Sequence, residues 1–238
     1  MATVICMKWG TAYGPEYVNV LRSMVGRHLA RPHRFVCLTD DPSGLDRGVE
    51  ALPLPEMDVP ARKAHQPWRK IGLLAPSIGD LAGDALFIDL DVVVAGDIGP
   101  FFDMPGRFLI IENWTQKGMG VGNSSVFRFR VGAHPEIYRE FLERPEAIVA
   151  EFPNEQTFIS RRAGQIGFWP ADWVRSFKRH CLRPFPLNLL LPPRLPADAR
   201  IVAFHGNPKP HHAAAGEWPG GNVVKSIRPA PWVAEHWR

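Results

Sequence analysis

The chain is poor in cysteine. Cys6, Cys37 and Cys181 are odd in number, far apart and without a C-x-x-C pair. That excludes a disulfide framework and a cysteine zinc site, and suits buried thiols in a reducing compartment. No run of 18 apolar residues occurs, so no membrane-spanning helix is expected. Met1–Lys8 lacks the charged start, long apolar core and cleavage site of a signal peptide, and reads directly as a strand. The expectation is a protein of the cytoplasm. The sequence also lacks a G-x-S-x-G elbow, a P-loop and any internal repeat. Its 24 prolines and 21 glycines mark turns and loops and form no low-complexity tract. Long basic tracts are absent too. The net charge of +4 is scattered, with only short clusters at Arg161-Arg162 and residues 175–179. A nucleic-acid partner is therefore not expected. The balance suits an anionic small molecule or an acidic membrane surface, with peripheral contact at the inner face of the membrane.

What remains is an ordinary globular composition, 45% hydrophobic over 238 residues. Strands are expected at Thr3–Met7, Arg34–Leu38, Val49–Leu54 and Leu86–Val94. Helices are expected at Pro15–His28, where Tyr17, Val18, Leu21, Met24 and Val25 recur at helical spacing, and at Trp68–Leu74. This alternation predicts an α/β fold with a mainly parallel sheet, binding ligands at the carboxyl ends of its strands. The second half is less regular. Strands are expected at Phe108–Glu112, Asn123–Phe129 and Arg200–Phe204, and helices at Ile137–Arg144 and Asn154–Arg161. No composition shift marks a linker, so one domain is expected, with residues 1–110 and 111–238 as its two halves.

The most informative segment is Leu86-Phe87-Ile88-Asp89-Leu90-Asp91-Val92-Val93-Val94. With 12 aspartates, a bare D-x-D is expected by chance roughly 0.6 times, so the tripeptide alone says little. Its apolar, β-branched surroundings say more. Read as one buried strand, the segment points Asp89 and Asp91 to the same face. Two converging carboxylates need compensation for lost hydration, and a hard divalent cation supplies it. A structural carboxylate pair is the alternative.

Other segments carry chemistry beside plainer readings. In Phe204–Pro210, His205 is a candidate metal ligand, Gly206 allows close backbone approach and Lys209 offers an ammonium to a diphosphate; a solvated turn is the alternative. Asn154-Glu155-Gln156-Thr157 places Glu155 and Gln156 at a helix start, where simple capping by Asn154 also explains it. Trp9–Tyr17 with Asp40-Asp41 offers rings and carboxylates to a nucleoside, or a core tyrosine and exposed loop acids. Arg69 and Lys70 reach phosphates or lie on a solvated face. Trp169, Trp173, Trp218, Trp232 and Trp237 form a sugar platform, a membrane patch or core.

In this order the segments resemble the GT-A nucleotide-sugar glycosyltransferases, and among them the family-eight-like group of galactosyltransferases and glycogenin-type enzymes. Phe87–Val94 looks like the family's D-x-D strand and Gly122–Phe127 like its N-[SA]-G-[VL] strand. Asn154–Gln156 resembles its Asp-Gln pair. His205–Pro210 resembles a shortened H-x-G-x-x-K-P segment. Ser125 stands in place of the usual glycine, and Glu155 in place of aspartate. The resemblance implies a Rossmann-like GT-A sheet flanked by helices. It implies Mn²⁺ or Mg²⁺ held by Asp89, Asp91 and His205, and Lys209 on the leaving diphosphate. Trp9, Tyr17 and Asp40 would serve the nucleoside, with Lys70 and Asn123 also in the donor site, and Glu155 and Gln156 would stand at the sugar. It further implies a UDP-sugar donor, a saccharide or glycan acceptor and a retained anomeric configuration. A nucleotidyltransferase is the competing enzyme, although Trp9–Gly14 lacks its arginine. A binding protein without turnover is the competing non-enzyme.

Overall fold

The computed structural model describes residues 1–238. Strand β1 (Ala2–Lys8) is buried throughout, as its apolar sequence requires. Helix α1 (Pro15–His28) begins on a proline and ends on Arg27 and His28. Both suit their positions, and its five periodic apolar side chains are all buried. Strands β2 (His33–Thr39) and β3 (Glu50–Leu52) follow. Residues Pro67–Leu74 form a 3₁₀ helix, tighter than the expected α-helix, before β4 (Asp84–Ile88).

The chain then breaks where a continuous strand was expected. Strand β4 ends at Ile88, and β5 (Val92–Val94) belongs to a different sheet. Asp89 N–H donates to the Ser125 carbonyl at 2.9 Å, while the Asp91 carbonyl accepts from Phe204 N–H at 2.9 Å. The aspartates therefore sit in the crossover between two sheets, not within one strand. The physical reason is desolvation: a central strand covered on both faces has no place for two carboxylates, and the crossover opens them to a cleft. Leu90, between them, is buried.

Helix α2 (Pro100–Asp103), β6 (Leu109–Glu112) and β7 (Gly122–Arg130) follow. Then come α3 (Pro135–Glu143), α4 (Pro145–Glu151), α5 (Glu155–Arg162) and β8 (Gly167–Phe168). The C-terminal part adds β9 (Val174–Ser176), β10 (Ile201–Ala203), α6 (Pro210–Ala215) and α7 (Pro231–His236). The main sheet has seven strands in the order β3-β2-β1-β4-β7-β6-β8. Its pairings are parallel except on the two sides of β7. A three-stranded sheet, β5-β10-β9, adjoins it.

Alternation along the strands builds two cores. Val4, Cys6, Leu86 and Ile88 enter a cluster of 35 buried residues with α1 and the small sheet. Ile5, Met7, Ala85 and Phe87 enter a second cluster of 27 with the 3₁₀ helix, α3 and α5. Both faces of the central strands are thus covered, which explains their continuous apolar runs. The tryptophans Trp173, Trp218, Trp232 and Trp237 pack against the first cluster, and Trp169 lies inside it. Core packing is the reading that holds for them.

Candidate active site

A cleft of about 1010 Å³ opens at the carboxyl ends of β1 and β4. Its walls are the loop after β1, the start of the 67–74 helix, the 89–91 crossover and the start of β7. The 113–115 loop, the N-terminus of α5 and the segment after β10 complete it.

Two lysine–aspartate pairs organise it. Lys70 Nζ lies 2.7 Å from Asp89 and also donates to the Ser124 carbonyl and hydroxyl, each at 3.2 Å. Ser124 in turn donates its hydroxyl to Glu155 at 2.6 Å. Burial is the main cause that pushes the Asp89 carboxyl up to about 6; Lys70 opposes it, while the Asp91 charge adds to it. Burial also raises Glu155, again against Lys70 and the Ser124 bond. The second pair is Lys209 and Asp91, 2.6 Å apart across 118 residues. Tyr13 donates to the same Asp91 oxygen at 2.8 Å and is bonded by the Lys209 ammonium. Burial, then the Asp91 charge, pushes the Tyr13 phenol far above its ordinary range.

His205 lines the cleft with its ring stacked on Trp114 at 5.8 Å, and its Nε2 is paired with the Ser176 hydroxyl at 2.7 Å. Burial, followed by the Lys178 charge, lowers its pKa. At the start of α5, Asn154 caps the helix by accepting from Thr157 N–H at 3.0 Å. Gln156 Oε1 accepts from the Asn123 amide and from Ser124 N–H, each at 3.3 Å.

Trp9, Lys70, Asp89, Asp91, Asn123, Glu155, Gln156, His205 and Lys209 therefore line one cleft. Two expected residues do not. Tyr17 belongs to the buried face of α1, with its hydroxyl 2.9 Å from His211 Nδ1. Asp40 lies outside and accepts from Gly10 N–H at 2.9 Å, which steadies the loop carrying Trp9 and Tyr13. The Asp89, Asp91 and His205 side chains are gathered in the cleft but not around one point. No three His, Cys, Asp or Glu side chains are close enough to share a metal ion. The reason is that each of the three is turned onto its own protein partner. Trp114 lies outside every expected segment, while Tyr13 and Ser124 lie within the expected Trp9–Tyr17 and Gly122–Phe127 segments without having been singled out. The helical spacing that places Tyr17 in the core was a signal that Tyr13, outside that spacing, is the tyrosine facing the cleft.

This sheet order with its crossover is the GT-A fold of glycosyltransferases. The galactosyltransferase LgtC, as an active-site mutant, superposes with a TM-score of 0.64 at 14% identity over 88% of this chain and 89% of that one. LgtC in complex with donor and acceptor sugar analogues matches at 0.59 and 13%, over 87% and 88%. The glycosyltransferase GlyE of Streptococcus pneumoniae matches at 0.57 and 15%, over 88% of this chain and 56% of that one. No protein-family model and no curated protein matches the sequence.

Proposed function

We propose that this protein is a metal-dependent glycosyltransferase that moves a sugar from a nucleotide-sugar, UDP-sugar favoured, to a saccharide acceptor. The observation that carries the reading is the Lys209–Asp91 pair, brought together at 2.6 Å from distant parts of the chain in the cleft of a GT-A sheet. In this reading residues 1–110 provide the nucleotide half and residues 111–238 the acceptor half.

The donor set suits the ion. Carboxylates of Asp89 and Asp91 are the oxygen ligands that Mn²⁺ or Mg²⁺ takes, and an imidazole nitrogen of His205 suits Mn²⁺ better than the harder Mg²⁺; all three line the same cleft and would leave their present protein partners to share an ion. When bound, the ion would supply positive charge beside the diphosphate. The chain's own residues do the rest. Lys209 exchanges its carboxylate partner for the departing diphosphate and stabilises the charge that develops there. Lys70 stays beside Asp89 and keeps that carboxylate ionised despite burial. Asn123 and Ser124 hold the Gln156 amide at the sugar. Glu155, only 1% exposed and bonded to Ser124, positions this strand. Trp9 offers a face to the nucleobase. A retained anomeric configuration belongs to the same reading, and an inverted product by NMR would remove it.

The test is calorimetric titration of UDP and of GDP, with Mn²⁺ and then with EDTA, into the wild type and Asp91→Ala. Metal-dependent UDP binding that Asp91→Ala abolishes supports the reading. No binding of either nucleotide with metal present would sink it. A binding protein without turnover is the second reading, favoured by a lysine already seated on each carboxylate. Metal-dependent hydrolysis of a UDP-sugar without acceptor would exclude it.

A further inference from the structure

Six of the nine exposed large hydrophobic side chains fall in two short segments: Phe185, Leu187, Leu190, Leu191, Val223 and Val224. Leu190 is 71% exposed and Val223 65%. Scattered singly they would need no explanation, but they are not scattered. Asn188, buried between them, donates to the Val224 carbonyl at 3.1 Å and to the Ser226 carbonyl at 2.8 Å, so the two segments form one projection. Trp232 braces it from below by donating to the Pro193 carbonyl at 3.1 Å.

Within the two stretches that carry this projection the charge has one sign, and Asp172, Asp198, Glu217 and Glu235 stand just beyond their ends. Residues 173–197 and 218–234 carry seven of the 28 lysines and arginines and none of the 24 acidic residues. Arg179, Arg194, Lys225 and Arg228 are exposed. The rest of the chain is therefore net acidic, and the basic excess of the whole protein is concentrated here.

The projection also adjoins the cleft. Arg179 lines the cleft and lies just ahead of the first segment. Asn207, in the loop between His205 and Lys209, donates to the Pro219 carbonyl at 3.2 Å, which ties that loop to the second segment.

We infer that residues 183–194 and 221–226 form a docking surface for an anionic lipid bilayer. The leucines and valines enter the headgroup boundary and the surrounding arginines and lysines pair with lipid phosphates. Apolar tips within a cationic collar match such a surface, whereas a second copy of the chain would bring like charges together. Docking here holds the cleft at the lipid–water boundary. Only the use of the cleft rests on the glycosyltransferase reading; the docking does not.

The test is flotation with vesicles of phosphatidylcholine alone and of phosphatidylcholine and phosphatidylglycerol in equal parts. It is run on the wild type, Leu190→Ser/Leu191→Ser and Val223→Ser/Val224→Ser. The wild type should float with the anionic vesicles, release at high salt and remain behind with phosphatidylcholine alone. Each double variant should lose about tenfold in partitioning, because two exposed apolar side chains no longer enter the bilayer. All six side chains are exposed, so the variants should fold, and circular dichroism checks this. Nucleotide binding by calorimetry should be unchanged in both variants; it reports the cleft separately from the docking. Failure of the wild type to float, or equal flotation of wild type and variants, overturns the proposal. Light scattering that shows a dimer lost in the variants, with no flotation, would assign the surface to self-association instead and also overturns it.

Discussion

The two lysine–aspartate pairs of the cleft look alike in chemistry and differ in setting. Lys70 and Asp89 are 19 residues apart, and the Lys70 side chain is 5% exposed. Lys70 packs over the Phe87 ring at 5.2 Å and shares Ser124 with Glu155. Lys209 is 21% exposed, stands at the start of a short helix and reaches Asp91 across the cleft. One pair is built into the sheet, where separating the charges would strand one of them in a dry site. The other joins two distant segments: Asp91 is itself buried, at 12% side-chain exposure, but Lys209 is the more open lysine and Tyr13 also bonds Asp91, so a ligand can take the lysine without leaving the carboxylate unpartnered. The same two residue types thus give a structural pair and an exchangeable one, and the second is where a diphosphate would enter.

Breaking the first pair should have the largest effect. Lys70→Met leaves Asp89 without its cation and should cost about 3 kcal/mol of stability, read as a lower urea midpoint at unchanged slope. If Lys70→Met unfolds like the wild type, the pair is not structural. Lys209→Met leaves Asp91 with its Tyr13 hydrogen bond and should cost less stability than Lys70→Met, about 1–2 kcal/mol, yet lower transfer or donor hydrolysis by 10²- to 10³-fold, about 2.7–4 kcal/mol of transition-state stabilisation. A stability loss as large as that of Lys70→Met would erase the contrast. Gln156→Ala is expected to lower turnover with little change in donor affinity, and a loss confined to affinity would place it away from the reacting carbon. Tyr13→Phe removes one hydrogen bond from Asp91 and should weaken metal-dependent nucleotide binding by about 1 kcal/mol, roughly fivefold by calorimetry. Asp40→Asn, outside the cleft, should change nucleotide affinity by less than about 0.5 kcal/mol.

Much of the first half could be read before the fold was known, because its signals are local. Helix α1 was expected over the span it occupies, since five periodic side chains and an opening proline specify it without distant partners. Strands β1 and β2 came within a residue or two for the same reason. Of the short C-terminal elements only β10 was expected, from the apolar run at Arg200–Phe204; β9 and α6 were unforeseen, and a three-residue strand with a polar centre such as Val174–Ser176 holds its conformation only through pairing with a distant segment. At the site, Asp89, Asp91, His205, Lys209 and Gln156 were legible as residue types in order. Tyr17 was chosen over Tyr13, although its helical spacing already argued for the core. The crossover at Asp89–Asp91 was invisible, since apolar residues before and after it read as one strand and nothing local says that they belong to two sheets.

Residue order alone settled the alternation of strand and helix, the apolar faces and the candidates for the cleft, because hydrophobic periodicity and terminal signals act over a few residues. Tertiary structure alone decided which carboxylate meets which lysine, where the sheet breaks, and which hydrophobic side chains stay in water. Those outcomes depend on bringing together segments as far apart as Tyr13 and Lys209, 196 residues, where desolvation and charge pairing are set by the assembled surroundings and not by neighbours in the chain.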